Sequence, residues 1–181
     1  REAGGLGSFL GGRIELFPHQ LHTALRAVEM DPVRWLLADE VGLGKTIVAC
    51  LILSALVRTG RARRALVIAP STLTVQWLGE LYRKFHQVFV LIDPDRIESV
   101  ERDFGTGNNV FDVHPFAVVS GELLAAHPGL AEQALAIEQD LVVVDEAHRL
   151  SDPKLEAAVA PLVARARRGR HVEVSFQKLV T

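Results

Sequence analysis

The apolar positions of this chain fall into two kinds of pattern that alternate along its length. Trp35–Ala38, Ala65–Ala69, Val88–Ile92, Ala117–Val119 and Leu141–Val144 are short continuous apolar runs, the pattern of strands buried on both faces. Between them, apolar residues recur at helical spacing. Leu21, Leu25 and Val28 predict a helix over 18–30, opened by Pro18. Ile47, Val48, Leu51, Ile52 and Leu56 predict an amphipathic helix over 46–57, ended near Gly60. Trp77, Leu81 and Phe85 predict a third helix, with Ser71 or Thr72 as its cap. A short helix is expected at 95–103, then a loop at Gly105, Gly107, Asn108 and Asn109. One or two helices are expected over 121–139, broken at Pro128-Gly129, and a last helix over 152–168, opened by Asp152-Pro153. Alternating strands and helices of this kind predict an α/β fold, a mainly parallel sheet with helices on both faces. Residues 1–12 are Gly-rich and read as a flexible lead-in.

Composition narrows this picture without changing it. A chain of 181 residues with 49% hydrophobic residues suits one domain with a sizeable core. The single cysteine, Cys50, lies in an apolar stretch, reads as a buried small hydrophobe and excludes a disulfide framework. No apolar run approaches the roughly 20 residues that span a bilayer, and no signal peptide opens the chain. It begins without methionine, so a fragment or processed piece is expected. The net charge of −2 gives no electrostatic footprint for nucleic acid. The basic clusters Arg61, Arg63, Arg64 and Arg165, Arg167, Arg168, Arg170 read as solvated helix ends or loops.

Two of the apolar runs end in chemistry. The first is followed by Asp39-Glu40-Val41-Gly42-Leu43-Gly44-Lys45-Thr46. Ligands of a parallel sheet sit at the carboxyl ends of its strands. There Gly42 and Gly44 let backbone N–H groups face phosphate oxygens, with Leu43 between them. Lys45 offers a point charge for the β- and γ-phosphates, and Thr46 a hydroxyl ligand for Mg²⁺. The strict phosphate-loop pattern would begin with Gly where this chain has Asp39, so only the relaxed form Gly-x-Gly-Lys-Thr is met. The second run is followed by Asp145-Glu146-Ala147-His148. Asp145 can hold Mg²⁺ directly or through water, and Glu146 can orient and deprotonate an attacking water. Each motif alone has an ordinary structural reading, a Gly-rich turn or a chance acidic pair. Together they predict a site for the phosphates and Mg²⁺ of a nucleoside triphosphate.

These residues resemble the first RecA-like lobe of a superfamily-two helicase of the Swi/Snf-type branch. The 39–46 stretch is similar to motif I of that branch, and Asp145–His148 is a DEAH box. The resemblance implies an adenine-reading role for Gln20, in Leu16-Phe17-Pro18-His19-Gln20, although a polar residue in a first helical turn looks the same. It implies that Pro70, Ser71 and Thr72 (motif Ia) and Ser120 (motif Ib) touch a nucleic-acid backbone. Helix capping by the hydroxyls is the simpler alternative. Trp77 reads as core rather than as a base-stacking platform. His148, a surface or hinge histidine on chemistry alone, takes a coupling role only by the resemblance. Within the branch the combination of motifs is most similar to bacterial RapA-like translocases of double-stranded DNA, one of which acts on RNA polymerase. That implies double-stranded DNA and a protein such as RNA polymerase as partners, no membrane, and a bacterial cytosolic or nucleoid location.

The likeness runs over residues 13–170. The family's apolar strand and Ser/Thr-Ala-Thr motif III are absent from 171–181, so a truncated or frame-shifted end is expected there. The chain has no room for a second lobe, whose arginine is worth about 10³–10⁵ in rate, so weak ATPase activity is expected at best. A small-molecule phosphotransferase and a non-catalytic nucleotide- or protein-binding remnant are the alternatives.

Overall fold

The computed structural model describes residues 17–39, 44–166 and 170–176. Its elements in chain order are α1 (Pro18–Glu29), β1 (Arg34–Asp39), α2 (Lys45–Arg58), β2 (Ala65–Ala69), α3 (Thr74–Phe85), β3 (Val90–Ile92), α4 (Pro94–Phe104), α5 (Val110–Val113), β4 (Phe116–Ser120), α6 (Gly121–Ala126), α7 (Pro128–Ala136), β5 (Leu141–Val144), α8 (Pro153–Arg165) and β6 (His171–Phe176). Single 3₁₀ turns at Ser71–Leu73 and Ala147–Ser151 complete the set.

All six strands are parallel and lie in the order β1-β6-β5-β2-β4-β3. Helices cover both faces, as the buried runs require. One core contains Ala24, Leu51, Leu53, Trp77 and Leu81 with Val67 and Val143 of the sheet. The other contains Leu66, Val142 and Val144 with Phe111, Leu124, Val159 and Leu162. Every residue of β2 and β5 is buried.

Several local expectations are corrected. The helix α2 is not amphipathic: Val48 to Leu56 are buried without interruption. It is enclosed by the sheet and by α1 and α3, and a helix apolar all round is an internal one. Ser71 and Thr72 do not cap α3. They form a 3₁₀ turn ahead of it, and Leu73 is the cap residue, with no side-chain hydrogen bond. The strand β3 is shorter than its apolar run, and Val88 is exposed. The stretch after the expected loop forms α5, capped by the Asn109 side chain, which accepts from Phe111 N–H at 2.9 Å.

The strand β6 was not expected. It fills the space between β1 and β5, pairing Trp35 with Val172 and Val143 with Val172 on its two sides. Val172 and Val174 are buried and the intervening Glu173 is half-buried. Residues 177–181 lie outside the described part.

Of the basic clusters, Arg63 and Arg165 are exposed as expected, whereas Arg61, Arg64 and Arg170 are engaged in bonds. Arg170 is buried, donates to the Arg61 carbonyl at 2.8 Å and pairs with Asp31 at 2.9 Å. Arg61 donates to the Val28 carbonyl at 2.6 Å, and Arg64 pairs with Asp112 at 2.8 Å. Their guanidinium groups tie connections together at the amino ends of the strands, the end opposite the motifs. Arg167 and Arg168 lie outside the described residues.

Candidate functional site

The parallel sheet brings the tips of β1 and β5 to one edge, with β6 as the spacer between them. A cleft of about 300 Å³ opens there, lined by Gly44, Lys45 and Thr46 on one side and by Asp145 and Glu146 on the other. Val174 of β6 and Trp77, Glu80 and Lys84 of α3 complete much of its wall. The two motifs therefore share one cavity, although a hundred residues separate them in sequence.

On the loop side, Gly44 adopts φ +75°, a left-handed conformation that favours glycine. A Cβ there would also fall on Nε2 of Gln20. Gln20 thus abuts the loop from α1. It is buried, and its Oε1 accepts from Phe17 N–H at 3.3 Å. The helix-start reading of Gln20 and its nearness to the phosphate loop hold together. Lys45 and Thr46 begin α2, so its N-terminal dipole points into the cleft. Glu40, Val41, Gly42 and Leu43, and the side chain of Asp39, lie outside the described residues.

On the acidic side, Asp145 is buried and held at both oxygens. Oδ2 accepts from the Trp77 indole N–H at 2.7 Å, and Oδ1 accepts from the Glu146 backbone N–H at 2.9 Å. Glu146 takes φ +52°, uncommon for a residue with a side chain. That turn directs the chain into the 3₁₀ segment that carries His148, whose Nδ1 stands 3.2 Å from Glu146 Oε2. Burial pushes the Glu146 carboxyl above the ordinary glutamate range, and the Asp145 charge acts in the same direction. His148, Lys45 and Arg149 pull against this without cancelling it. A carboxylate with a raised pKa is better matched to accepting a proton near neutral pH.

The donor set fits a hard cation. Thr46 and Asp145 offer oxygen only, and both face the cleft. Among the described residues no group of three or more His, Cys, Asp or Glu side chains is arranged to hold a metal. A Mg²⁺ ion carried in with phosphates needs no such cage, because one or two protein oxygens, phosphates and water complete its shell.

A second cluster lies beside the cleft at the tips of β2 and β4. Pro70 is buried, while Ser71 and Thr72 are exposed. The Ser71 backbone N–H donates to Glu122 Oε2 at 3.0 Å, and Arg149 pairs with Glu122 Oε1 at 2.8 Å. Ser120 caps α6, its Oγ accepting from Leu123 N–H at 3.0 Å. Burial works to raise the Glu122 pKa. Its own backbone N–H, Arg149 and the Ser71 N–H outweigh burial and hold it below the ordinary range. Glu122 and Arg149 thus join the Ser71 and Ser120 loops to the segment after Asp145 and Glu146. Neither residue stood out in the sequence, and only their adjacency to motif residues could have drawn attention to them. Trp77, read as core, is core, but its N–H serves Asp145. Cys50 is buried as expected, and burial pushes its thiol well up.

The family model described as SNF2-related domain matches residues 20–167. The RNA polymerase-associated protein RapA of Actinobacillus pleuropneumoniae serotype 5b is 41% identical over 153 residues, 82% of this chain. RapA of Vibrio atlanticus is 45% identical over 141 residues, 77% of this chain. The chain spans only 16% and 14% of the lengths of these two relatives. Among solved structures, the Sulfolobus solfataricus SWI2/SNF2 ATPase core in complex with dsDNA has the same fold, with a TM-score of 0.74 at 21% identity. That match covers 93% of this chain and 33% of the other. The chain belongs to the SNF2-related domain family and has the fold of its N-terminal, RecA-like lobe.

Proposed function

We propose that the chain is the MgATP-binding lobe of a DNA-dependent ATPase of the translocase type. The observation that carries this is the shared cleft, with Lys45 and Thr46 on one wall and Asp145 and Glu146 on the other. In this reading the N–H groups at the α2 start and the Lys45 ammonium bind the β- and γ-phosphates. Thr46 and Asp145 hold the Mg²⁺ that arrives with the nucleotide, and the ion neutralises phosphate charge when bound. Glu146, raised by burial, accepts the proton of the attacking water. Gln20 reads the adenine edge beside Gly44.

Ser71, Thr72 and Ser120 are the proposed contacts to a nucleic-acid backbone, with Pro70 shaping the loop. Exposed N–H and hydroxyl groups bind phosphates without a large net positive charge. The relatives named RapA are RNA polymerase-associated, and the solved neighbour holds dsDNA. Duplex DNA and a protein partner of that kind are the partners we propose, in the bacterial cytosol or nucleoid. Among the described residues no helix is long and apolar enough to cross a membrane. His148, in contact with Glu146, is the proposed coupling residue.

Catalysis in this scheme needs an arginine from a second lobe, worth about 10³–10⁵ in rate. The test is ATP turnover by purified residues 1–181, with and without duplex DNA. Slow turnover that rises only when a second lobe is supplied is expected. Efficient DNA-stimulated hydrolysis by the chain alone would refute the dependence on that lobe. Turnover indifferent to DNA but dependent on a small phosphate acceptor would favour a phosphotransferase.

A further inference from the structure

The indole of Trp77 is fully buried, yet its one polar atom is spent on the acidic motif. Nε1–H donates to Asp145 Oδ2 at 2.7 Å, across a sequence separation of 68 residues. The other oxygen, Oδ1, accepts from Glu146 N–H at 2.9 Å. A carboxylate oxygen has two acceptor sites. Each Asp145 oxygen therefore has one satisfied and one further site, and the plane of the group is fixed by a donor at each end. Trp77 and Asp145 both line the cleft that contains Thr46. The indole donor is neutral, so it orients the carboxylate without placing a competing cation beside a metal.

We infer that Trp77 is a positioning residue for the metal ligand: its N–H fixes Asp145 Oδ2 so that the carboxylate presents its remaining lone pairs to Mg²⁺ beside Thr46. This rests on the reading of the cleft as a MgATP site. Partners that orient metal-bound carboxylates behave this way, and losing one costs about 10–100-fold in metal affinity. Trp77 also sits one helical turn beyond the Ser71–Leu73 segment. The same helix therefore joins the loop proposed to meet nucleic acid to the metal ligand. Phenylalanine at this position would keep an aromatic ring in the core but lose the N–H, together with part of the ring volume.

The test is a Mg²⁺ titration of nucleotide binding to the 181-residue chain, read by calorimetry with ADP and compared with binding in EDTA. Trp77→Phe should raise the half-saturating Mg²⁺ concentration about 10-fold and leave Mg²⁺-free ADP affinity within about twofold. Leu81→Val, a cut in the same core without a polar atom, should move neither. An unchanged Mg²⁺ midpoint in Trp77→Phe, or an equal shift in Leu81→Val, would overturn the inference. Should Trp77→Phe not fold, the wild-type chain decides. It has two tryptophans, so two indole N–H signals report in a ¹⁵N spectrum. The Trp77 signal should move when Mg²⁺ is added to the ADP-bound chain, and a stationary signal would overturn the inference. A wild-type chain whose ADP affinity ignores Mg²⁺ would instead sink the MgATP reading itself.

Discussion

Glu146 and Glu122 stand at the tips of β5 and β4, on either side of β2, and are pushed in opposite directions. Glu146, after β5, lines the cleft, neighbours the Asp145 charge and is raised above the ordinary glutamate range. Glu122, in the first turn of α6, accepts from the Ser71 N–H and from Arg149, and is lowered. Residue type is the same; the partners differ. A carboxylate whose strong donors are all engaged is a structural anchor. One with burial and a like charge against it is suited to take a proton. The comparison separates the chemical wall of the site from the bracket that joins it to the proposed nucleic-acid loops.

The largest test of this contrast is Glu146→Gln in the chain joined to a second lobe. Single-turnover hydrolysis should fall about 10²–10⁴-fold while MgATP still binds. Glu122→Gln should change the same rate only a few-fold. An equal loss in both variants would erase the distinction.

Protonation gives the next test. Because Glu146 is raised in the folded chain, hydrolysis should climb with pH through a midpoint above the ordinary glutamate value. The folded state holds that proton more tightly than the unfolded one. Glu146 therefore subtracts stability as pH rises from its unfolded midpoint to its folded one. Glu122 has the opposite sign: its contribution is present above its unfolded midpoint and is lost as pH falls through the lowered folded one. Carboxyl ¹³C titrations should show Glu122 ionising first as pH is raised, and the reverse order would contradict the assignment.

Smaller effects sharpen the bracket. Glu122→Ala removes an ion pair that is partly exposed on both sides, so chemical denaturation should show a loss of no more than about 1 kcal/mol. Ser71→Ala and Thr72→Ala should change stability by no more than about 0.5 kcal/mol, because neither side chain caps α3. Both should weaken duplex-DNA binding in a filter or anisotropy assay if the loop meets phosphates.

Much of this architecture could be read from the chain alone. The continuous apolar runs at Ala65–Ala69 and Leu141–Val144 became fully buried central strands. Pro18 and Pro153 each open a helix as anticipated, and at the break expected near Pro128-Gly129 Pro128 itself opens α7. The strand β6 is not an unbroken apolar run, the pattern that marks the other buried strands. His171-Val172-Glu173-Val174-Ser175-Phe176 alternates instead, the period-two signature of a strand with one covered face. The Trp77–Asp145 hydrogen bond and the Ser71–Glu122–Arg149 bridge left no such trace. Each depends on side chains brought together by strand order, and local periodicity says nothing about which distant groups will meet. In α2 the small residues Ala49, Cys50, Ser54 and Ala55 look like a less apolar face, yet all are buried.

Lys45 and Asp145, on facing walls of one cleft, are proposed to serve one nucleotide site. The most direct measurement is calorimetric binding of MgATP to the wild-type chain, Lys45→Ala and Asp145→Asn, each with Mg²⁺ and with EDTA. Mg²⁺-strengthened binding is expected in the wild type. Lys45→Ala should lose about 10-fold or more under both conditions, since a charge-assisted hydrogen bond contributes about 1.5–3 kcal/mol. Asp145→Asn should lose mainly the Mg²⁺-dependent part. Binding that is equally tight in all three proteins, or that ignores Mg²⁺ in the wild type, would contradict the shared site.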